Sequence, residues 1–338
     1  MFRKVILILL VVFVWQCIQA PNARAQNADP CTATTTWWFP DPIPFGWFYY
    51  GSYPGTFVYV IAARTCPKQV CPICNRNAPT AKGGGPIVFA TGDTYIADTD
   101  VSLPGLGGGL VLRRLWNSVW PNSEITSSVG IFGSQWKSTY DERIYIDGGD
   151  YIIYARGDGS YTSFFFQPSS GNFVGGGGYN NMYIPPQPPT GTIILNFQNG
   201  EQRQFSLGTG MLSAIVDRNG NTTRLTYDSS GRLTTVTDPA SRHLYFNYPN
   251  GSSNLVTSVT SDFGVTLSYS YDANNRLTQV TKPDLTTTIT YTYNTQSQIT
   301  QVTDSNGKIL ESHTYDSNGR GLTSSQANGV NSMTVVYP

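Results

Sequence analysis

Along most of this chain, large apolar residues alternate with Thr, Ser, Asn and Gln, the period-two pattern of a strand with one buried face. In Val265-Thr266-Leu267-Ser268-Tyr269-Ser270-Tyr271 the odd positions carry the large side chains, and Ile289, Tyr291 and Tyr293 repeat the arrangement. Earlier segments read as short strands over 58–61, 110–115, 143–146, 151–155, 161–166 and 192–197. Gly-rich turns such as Asp147-Gly148-Gly149-Asp150 and Gly157-Asp158-Gly159 separate them. Past the leader, no stretch of ten or more residues carries a 3.6 period, so an all-β fold is predicted.

From Glu201 onward the pattern becomes a repeat. Units begin at Tyr227, Tyr248, Tyr271, Tyr293 and Tyr315, spaced by 21, 23, 22 and 22 residues, and Tyr337 falls where the next would start. Tyr227, Asp228, Gly231 and Arg232 define the core of the unit; Tyr271, Asp272 and Arg276 repeat it, as do Tyr293 alone and then Tyr315, Asp316, Gly319 and Arg320. At each reversal Asp is expected to accept turn hydrogen bonds while Gly or Asn takes a positive φ. Asn219-Gly220, Asn250-Gly251, Asn306-Gly307 and Asn328-Gly329 mark the second turns, since Asn-Gly is a strong hairpin signal. The returning strands 233–236 and 277–280 space their large residues three apart, which means either a bulge or burial on both faces. A unit this small cannot stand alone, so neighbours must pair edge to edge into one long curved sheet.

Composition narrows the class. Only 12% of residues are charged, with 21 basic against 21 acidic, while aromatics reach 13%. A neutral chain without a basic run lacks the footprint of a nucleic-acid binder. Residues 1–25 carry Arg3 and Lys4, an apolar run from Val5 to Trp15, and Ala23-Arg24-Ala25. This reads as a secretory signal peptide cleaved after Ala25, and no later stretch is apolar enough to span a bilayer. In an exported chain, Cys31, Cys66, Cys71 and Cys74 read as two disulfides of open connectivity. The spacing of Cys71 and Cys74 also suits zinc, but no His lies near them to complete a site, so no metal is expected. Residues 26–82 form an aromatic and proline-rich module in which Trp37, Trp38 and Trp47 would either stack on sugars or fill a small stapled core.

Residues 83–118 resemble the opening of RHS and YD-repeat proteins, through Gly85-Pro86-Ile87, Ala90-Thr91-Gly92-Asp93, Asp98-Thr99-Asp100 and Arg114-Leu115-Trp116-Asn117-Ser118. Gly133-Ser134-Gln135-Trp136, Tyr140-Asp141-Glu142-Arg143 and Arg156-Gly157-Asp158-Gly159-Ser160 continue the likeness, and the 22-residue unit completes it. The resemblance implies an opening domain over 83–200 and repeats over 201–338, wound as an arc of a hollow shell with an unfinished strand edge and no cavity enclosed by this chain alone. Larger family members carry a self-cleaving D-P-x-G-L motif and an effector domain, of which Asp238-Pro239-Ala240-Ser241 shares only two letters.

No chemistry is prominent. His313 shares a strand face with Glu311 and Tyr315, most simply as a solvated polar pair. Asp217-Arg218-Asn219-Gly220, Asp304-Ser305-Asn306-Gly307 and Asp316-Ser317-Asn318-Gly319 mimic part of a calcium loop but lack its distal Glu, so they read as hairpin turns. Asp98 and Asp100 form a paired-carboxylate candidate that reads better as capping or turn residues. The expected function is a non-catalytic, cofactor-free scaffold or shell segment, secreted or held at the cell envelope. The alternatives are an adhesive module for cell-wall or surface glycans, and the front part of a polymorphic toxin whose effector lies further along a longer chain.

Overall fold

The computed structural model describes residues 91–119, 129–147, 151–167, 169–175, 179–183, 191–249, 253–327 and 329–337, together with short strands at Thr36–Trp37, Ser52–Tyr53, Thr56–Phe57, Tyr59–Val60, Lys82–Gly83 and Ile87–Val88. The chain divides into two units, Met1–Lys68 and Gln69–Pro338. In the first, Thr36–Trp37 pairs with Tyr59–Val60 and Ser52–Tyr53 with Thr56–Phe57, both antiparallel. The leader, the four mature cysteines, Trp38, Trp47 and the side chain of Trp37 lie outside the described residues.

Among its described residues the second unit is all β apart from one 3-10 turn at Leu106–Gly108. Nineteen strands from Arg143–Asp147 to Val330–Thr334 pair in strict chain order as one antiparallel sheet, which does not close. Strands of the opening segment, such as Tyr161–Gln167 and Thr192–Phe197, therefore belong to the same sheet as the repeats. One of its two outer strands is partly met: Arg143 bridges to Met211, and the Ile144 N–H donates to the Gly210 carbonyl at 2.9 Å.

The three-residue spacing of the returning strands resolves as a bulge. Tyr271 lies opposite Leu277 and Ser270 opposite Gln279, so Thr278 is an extra residue. The same slip occurs at Thr226/Tyr227, Thr292/Tyr293 and Thr314/Tyr315. A bulge inverts the alternation, which brings Leu277 and Val280 to the same buried side. The extra residue leaves a carbonyl without its ladder partner, and its own hydroxyl replaces the bond: Thr234 donates to Thr226 O at 3.0 Å, Thr278 to Ser270 O at 3.1 Å and Thr300 to Thr292 O at 3.2 Å. The Leu-Thr and Ile-Thr pairs at the head of these strands thus have a geometric cause.

One face of the sheet is apolar. Cross-strand rows run Leu225, Val236, Leu244; Phe246, Val259, Leu267; and Tyr269, Val280, Ile289. The other face presents residues such as Thr226, Thr235, Tyr245 and Thr260. A five-stranded sheet in the order Trp136–Ser138, Leu110–Asn117, Asp93–Leu103, Ile87–Val88, Lys82–Gly83 covers the apolar face. Phe132 packs on Tyr269 at 4.7 Å between ring centroids, Trp136 on Tyr291 at 5.1 Å and Tyr140 on Phe246 at 6.1 Å. Backbone bonds reinforce the contact, from Val256 N to Ile131 O, Ser134 N to Asn275 O and Gly321 N to Gly92 O. Both layers share one hydrophobic core.

Candidate functional site

At the seam between the two layers lies a buried charge cluster. Leu110–Asn117 contains consecutive arginines, so alternation must turn one of them inward. Arg113 faces out and Arg114 is fully buried. On the neighbouring strand the register slips between Thr99 and Val101, which makes Asp100 a bulge residue and turns both Asp100 and Val101 into the interior. Arg114 pairs through Nε and Nη2 with both oxygens of Asp100, the second at 3.0 Å, and its Nη2 lies 3.4 Å from Asp98 Oδ2.

The repeats complete the shell around this pair. Tyr269 donates to Asp100 at 2.9 Å, Lys282 Nζ reaches Asp100 at 3.0 Å, and the Tyr291 hydroxyl bonds Asp98. The Arg114 guanidinium also lies 4.9 Å from the Trp136 ring centroid. Burial opposes ionisation of Asp100, but Arg114 and Lys282 outweigh it and hold the carboxyl at about 2. Burial lowers the affinity of Arg114 for its proton, and Asp100 more than restores it. Burial and then Asp100 push the Tyr269 hydroxyl well up, so it stays a donor. Asp98 and Asp100 are therefore neither caps nor turn residues, as sequence suggested, but the anionic half of a clamp. Tyr269, Lys282 and Tyr291 were missed because pairings separated by about 180 residues leave no local pattern; the consecutive arginines were the one available signal.

A second system is periodic. Asp272 accepts the N–H groups of Asn274 at 2.9 Å and Arg276 at 3.0 Å, and then the Arg276 Nε at 2.7 Å. Asp228 with Arg232 and Asp316 with Arg320 reproduce the arrangement, as do Asp238 and Arg242. Each repeat arginine then lies over the tyrosine of the next unit, Arg232 over Tyr248 at 5.0 Å, Arg276 over Tyr293 at 4.9 Å and Arg320 over Tyr337 at 4.2 Å. The tyrosine hydroxyls reach back one unit to a carbonyl: Tyr227 to Leu212, Tyr271 to Val256, Tyr293 to Leu277, Tyr315 to Ile299, all at 2.7 Å, and Tyr337 to Gly321 at 2.8 Å. Gly231 and Gly319 supply the positive φ of the turn, 77° and 80°. Removing one hydroxyl, as in Tyr271→Phe, is expected to leave the Val256 carbonyl unmatched and cost about 1 kcal/mol in a urea melt.

The remaining polar candidates fall into place around these systems. The carboxylates of Asp217, Asp304 and Asp316 accept backbone N–H groups of their own turns, and among the described residues no group of three or more His, Cys, Asp or Glu could hold a metal. Asp238 holds Arg242, whose Nη2 donates to Pro104 O at 3.0 Å and ties a repeat turn to the opening segment. His313 is not solvated, as the sequence suggested. Its side chain is buried, with the Glu311 carboxylate 3.2 Å away at a partly exposed position on the same strand face. Among the described residues no helix is long and apolar enough to cross a membrane.

A family described as a domain of unknown function, DUF6531, matches residues 84–164, and the RHS Repeat family matches residues 208–243 and 252–287. Over 161 residues the chain is 29% identical to the tRNA nuclease WapA of Bacillus subtilis and 28% identical to the tRNA3(Ser)-specific nuclease WapA of Bacillus spizizenii, covering 44% of this chain in each case. It spans only 6% of the length of those curated relatives. The crystal structure of TcdB2-TccC3-Cdc42 aligns over 68% of this chain and 12% of its own, at 15% identity and a TM-score of 0.27, too loose a superposition to build on. With the two family matches falling on the opening segment and the repeats, this chain carries RHS repeats behind a DUF6531-type opening and is similar, over these regions, to RHS/YD-repeat proteins.

Proposed function

We propose that the chain is an exported, non-catalytic scaffold: a segment of β shell at the bacterial cell envelope, serving surface interaction or encasing an effector carried further along the polypeptide. The observation that carries this reading is the one-sidedness of the sheet. Its apolar face is covered by the chain's own opening segment through the Arg114 clamp, while its polar face of Thr, Ser and Tyr is left to solvent or partners. The carboxylates of the turns are spent on backbone N–H groups, a structural use that supports a scaffold over a catalyst. Similarity to WapA, itself named a tRNA nuclease, supports an effector-bearing context and lends this segment no nuclease activity, since the overlap is a small fraction of that protein.

The test is the fate of the full chain in a bacterial host, with an epitope tag after Pro338. The expected product starts at Gln26, is found in the envelope or the medium, and is cut by protease added to intact cells if it is surface-held. An unprocessed product confined to the cytoplasm would overturn the proposal.

A further inference from the structure

Away from the clamp, on the outward side of Leu110–Asn117, an open cleft of about 350 Å³ lies between that strand, the 139–142 turn, the 154–158 hairpin and the sheet at Phe197 and Arg203. Its back wall is preformed. Tyr154 donates to Glu142 at 2.7 Å, Arg203 Nε donates to the same Glu142 oxygen at 3.1 Å, and the Arg203 guanidinium rests 5.0 Å from the Phe197 centroid. Arg203 Nη1 leans toward Glu201 at 3.7 Å, and its Nη2 makes no hydrogen bond among the described residues. The floor is the hairpin with Arg156 and Asp158, 3.9 Å apart. A Cβ on Gly157 would run into the Ser138 carbonyl, so the hairpin can seat there only with glycine at that position.

The facing wall holds Arg113, the outward member of the arginine pair. It is exposed, and its guanidinium has no hydrogen-bond or ion-pair partner among the described residues. The lining brings three arginines against two carboxylates, Glu201 stands behind Arg203, and Arg113 is the one of the three with no carboxylate beside it among the described residues. Fork-shaped guanidinium groups favour carboxylate and phosphate oxygens, and adjoining acceptors on Glu142 and Asp158 suit hydroxyl donors. The volume is at the small end of ligand sites, about that of a single sugar.

We infer that this cleft binds a small hydroxylated anion, a sugar carboxylate or a sugar phosphate, with Arg113 closing on the anionic group and the Tyr154, Glu142 and Arg203 wall orienting the hydroxyls. The site is independent of the shell reading, since it uses neither the apolar face nor the repeat turns. Nothing in the residue pattern of the repeats announces it, because its side chains come from four separate segments.

Calorimetric titration of the full chain with glucuronate, glucose 6-phosphate and glucose tests it. Heat with either anion and none with glucose supports the site, and the anion that binds tells the carboxylate source from the phosphate source. Arg113→Ala is expected to weaken that binding about ten-fold with an unchanged melting temperature, and Arg113→Lys to restore only part of it, because a point charge lacks the fork. No binding of either anion up to about 10 mM, glucose binding as tightly as the anions, or an Arg113→Ala chain that binds like the parent would each overturn the inference.

Discussion

Arg114→Leu is expected to lower the unfolding free energy by about 3–5 kcal/mol, because it leaves the Asp100 carboxylate buried with only Lys282 and Tyr269 for company. The loss is best read in urea, which leaves ion pairs unscreened, at pH 7 and again at pH 3. Asp100 has an ordinary carboxyl value of 3.8 when unfolded and is held at about 2 when folded. A carboxyl depressed by folding contributes stability that is complete above its unfolded value and drains as the pH falls through its folded value. The parent should therefore lose on the order of 2 kcal/mol from this group between about pH 5 and pH 2. In Arg114→Leu the main cause of the depression is gone, so the gap between variant and parent should narrow on acidification. A second variant, Asp100→Asn with Arg114→Leu, removes the stranded charge and should recover part of the loss. A penalty below about 1 kcal/mol, or one that widens in acid, would show that the clamp does not hold the opening segment to the repeats.

Asp272→Ala should cost about 2 kcal/mol, the second-largest single effect expected. Two backbone N–H groups and the Arg276 Nε lose their acceptor together, and Arg276 is then positioned over Tyr293 by stacking alone. The pair is about a quarter exposed at Asp272, so water returns part of what is lost and the figure stays below that for Arg114. The protein contains its own control. In the unit starting at Tyr293 the Asp and Arg positions are Asn294 and Gln298: Asn294 still accepts Gln296 N and Gln298 N, and the two side chains bond each other at 3.0 Å. Gln298 then reaches Gly319 O at 2.8 Å, much as Arg276 reaches Asn294 O at 3.2 Å. Asp272→Asn with Arg276→Gln should accordingly restore most of the stability that Asp272→Ala loses, and lose its dependence on salt. If the double variant melts no higher than Asp272→Ala, the ion pair itself carries the turn.

The sheet was legible because its signal is local. Alternation placed strands near Arg143–Asp147, Tyr151–Ala155 and Thr192–Phe197, and the 22-residue spacing of Tyr227 through Tyr315 fixed the pairing of neighbours. The Leu-Thr step left two options open, and only the observed register, with Thr278 skipped, decides between them. The roles of the repeat arginine and tyrosine were half visible. Their turn is local, but stacking of Arg276 on Tyr293 spans two units and depends on how adjacent hairpins lie. What sequence could not convey is the second layer. That Asp98 and Asp100 meet Arg114 follows from one hairpin, whereas Tyr291 and Lys282 join them only because a separate sheet crosses the repeats.

Arg114 and the Tyr291 hydroxyl are 177 residues apart in the chain. Within the nineteen-strand sheet each strand pairs along its length with the next one made, so the sheet can lengthen hairpin by hairpin as the polypeptide emerges, with little loop to close at each step. The opening segment cannot finish in that way. It is delivered first, and its buried arginine has to wait, hydrated, until the repeats that will enclose it have arrived. The clamp is thus a late checkpoint in assembly: a nascent chain arrested before Tyr291 would own most of its strands while its central cation stayed wet. Such a chain would offer its apolar sheet face to whatever chaperone meets it.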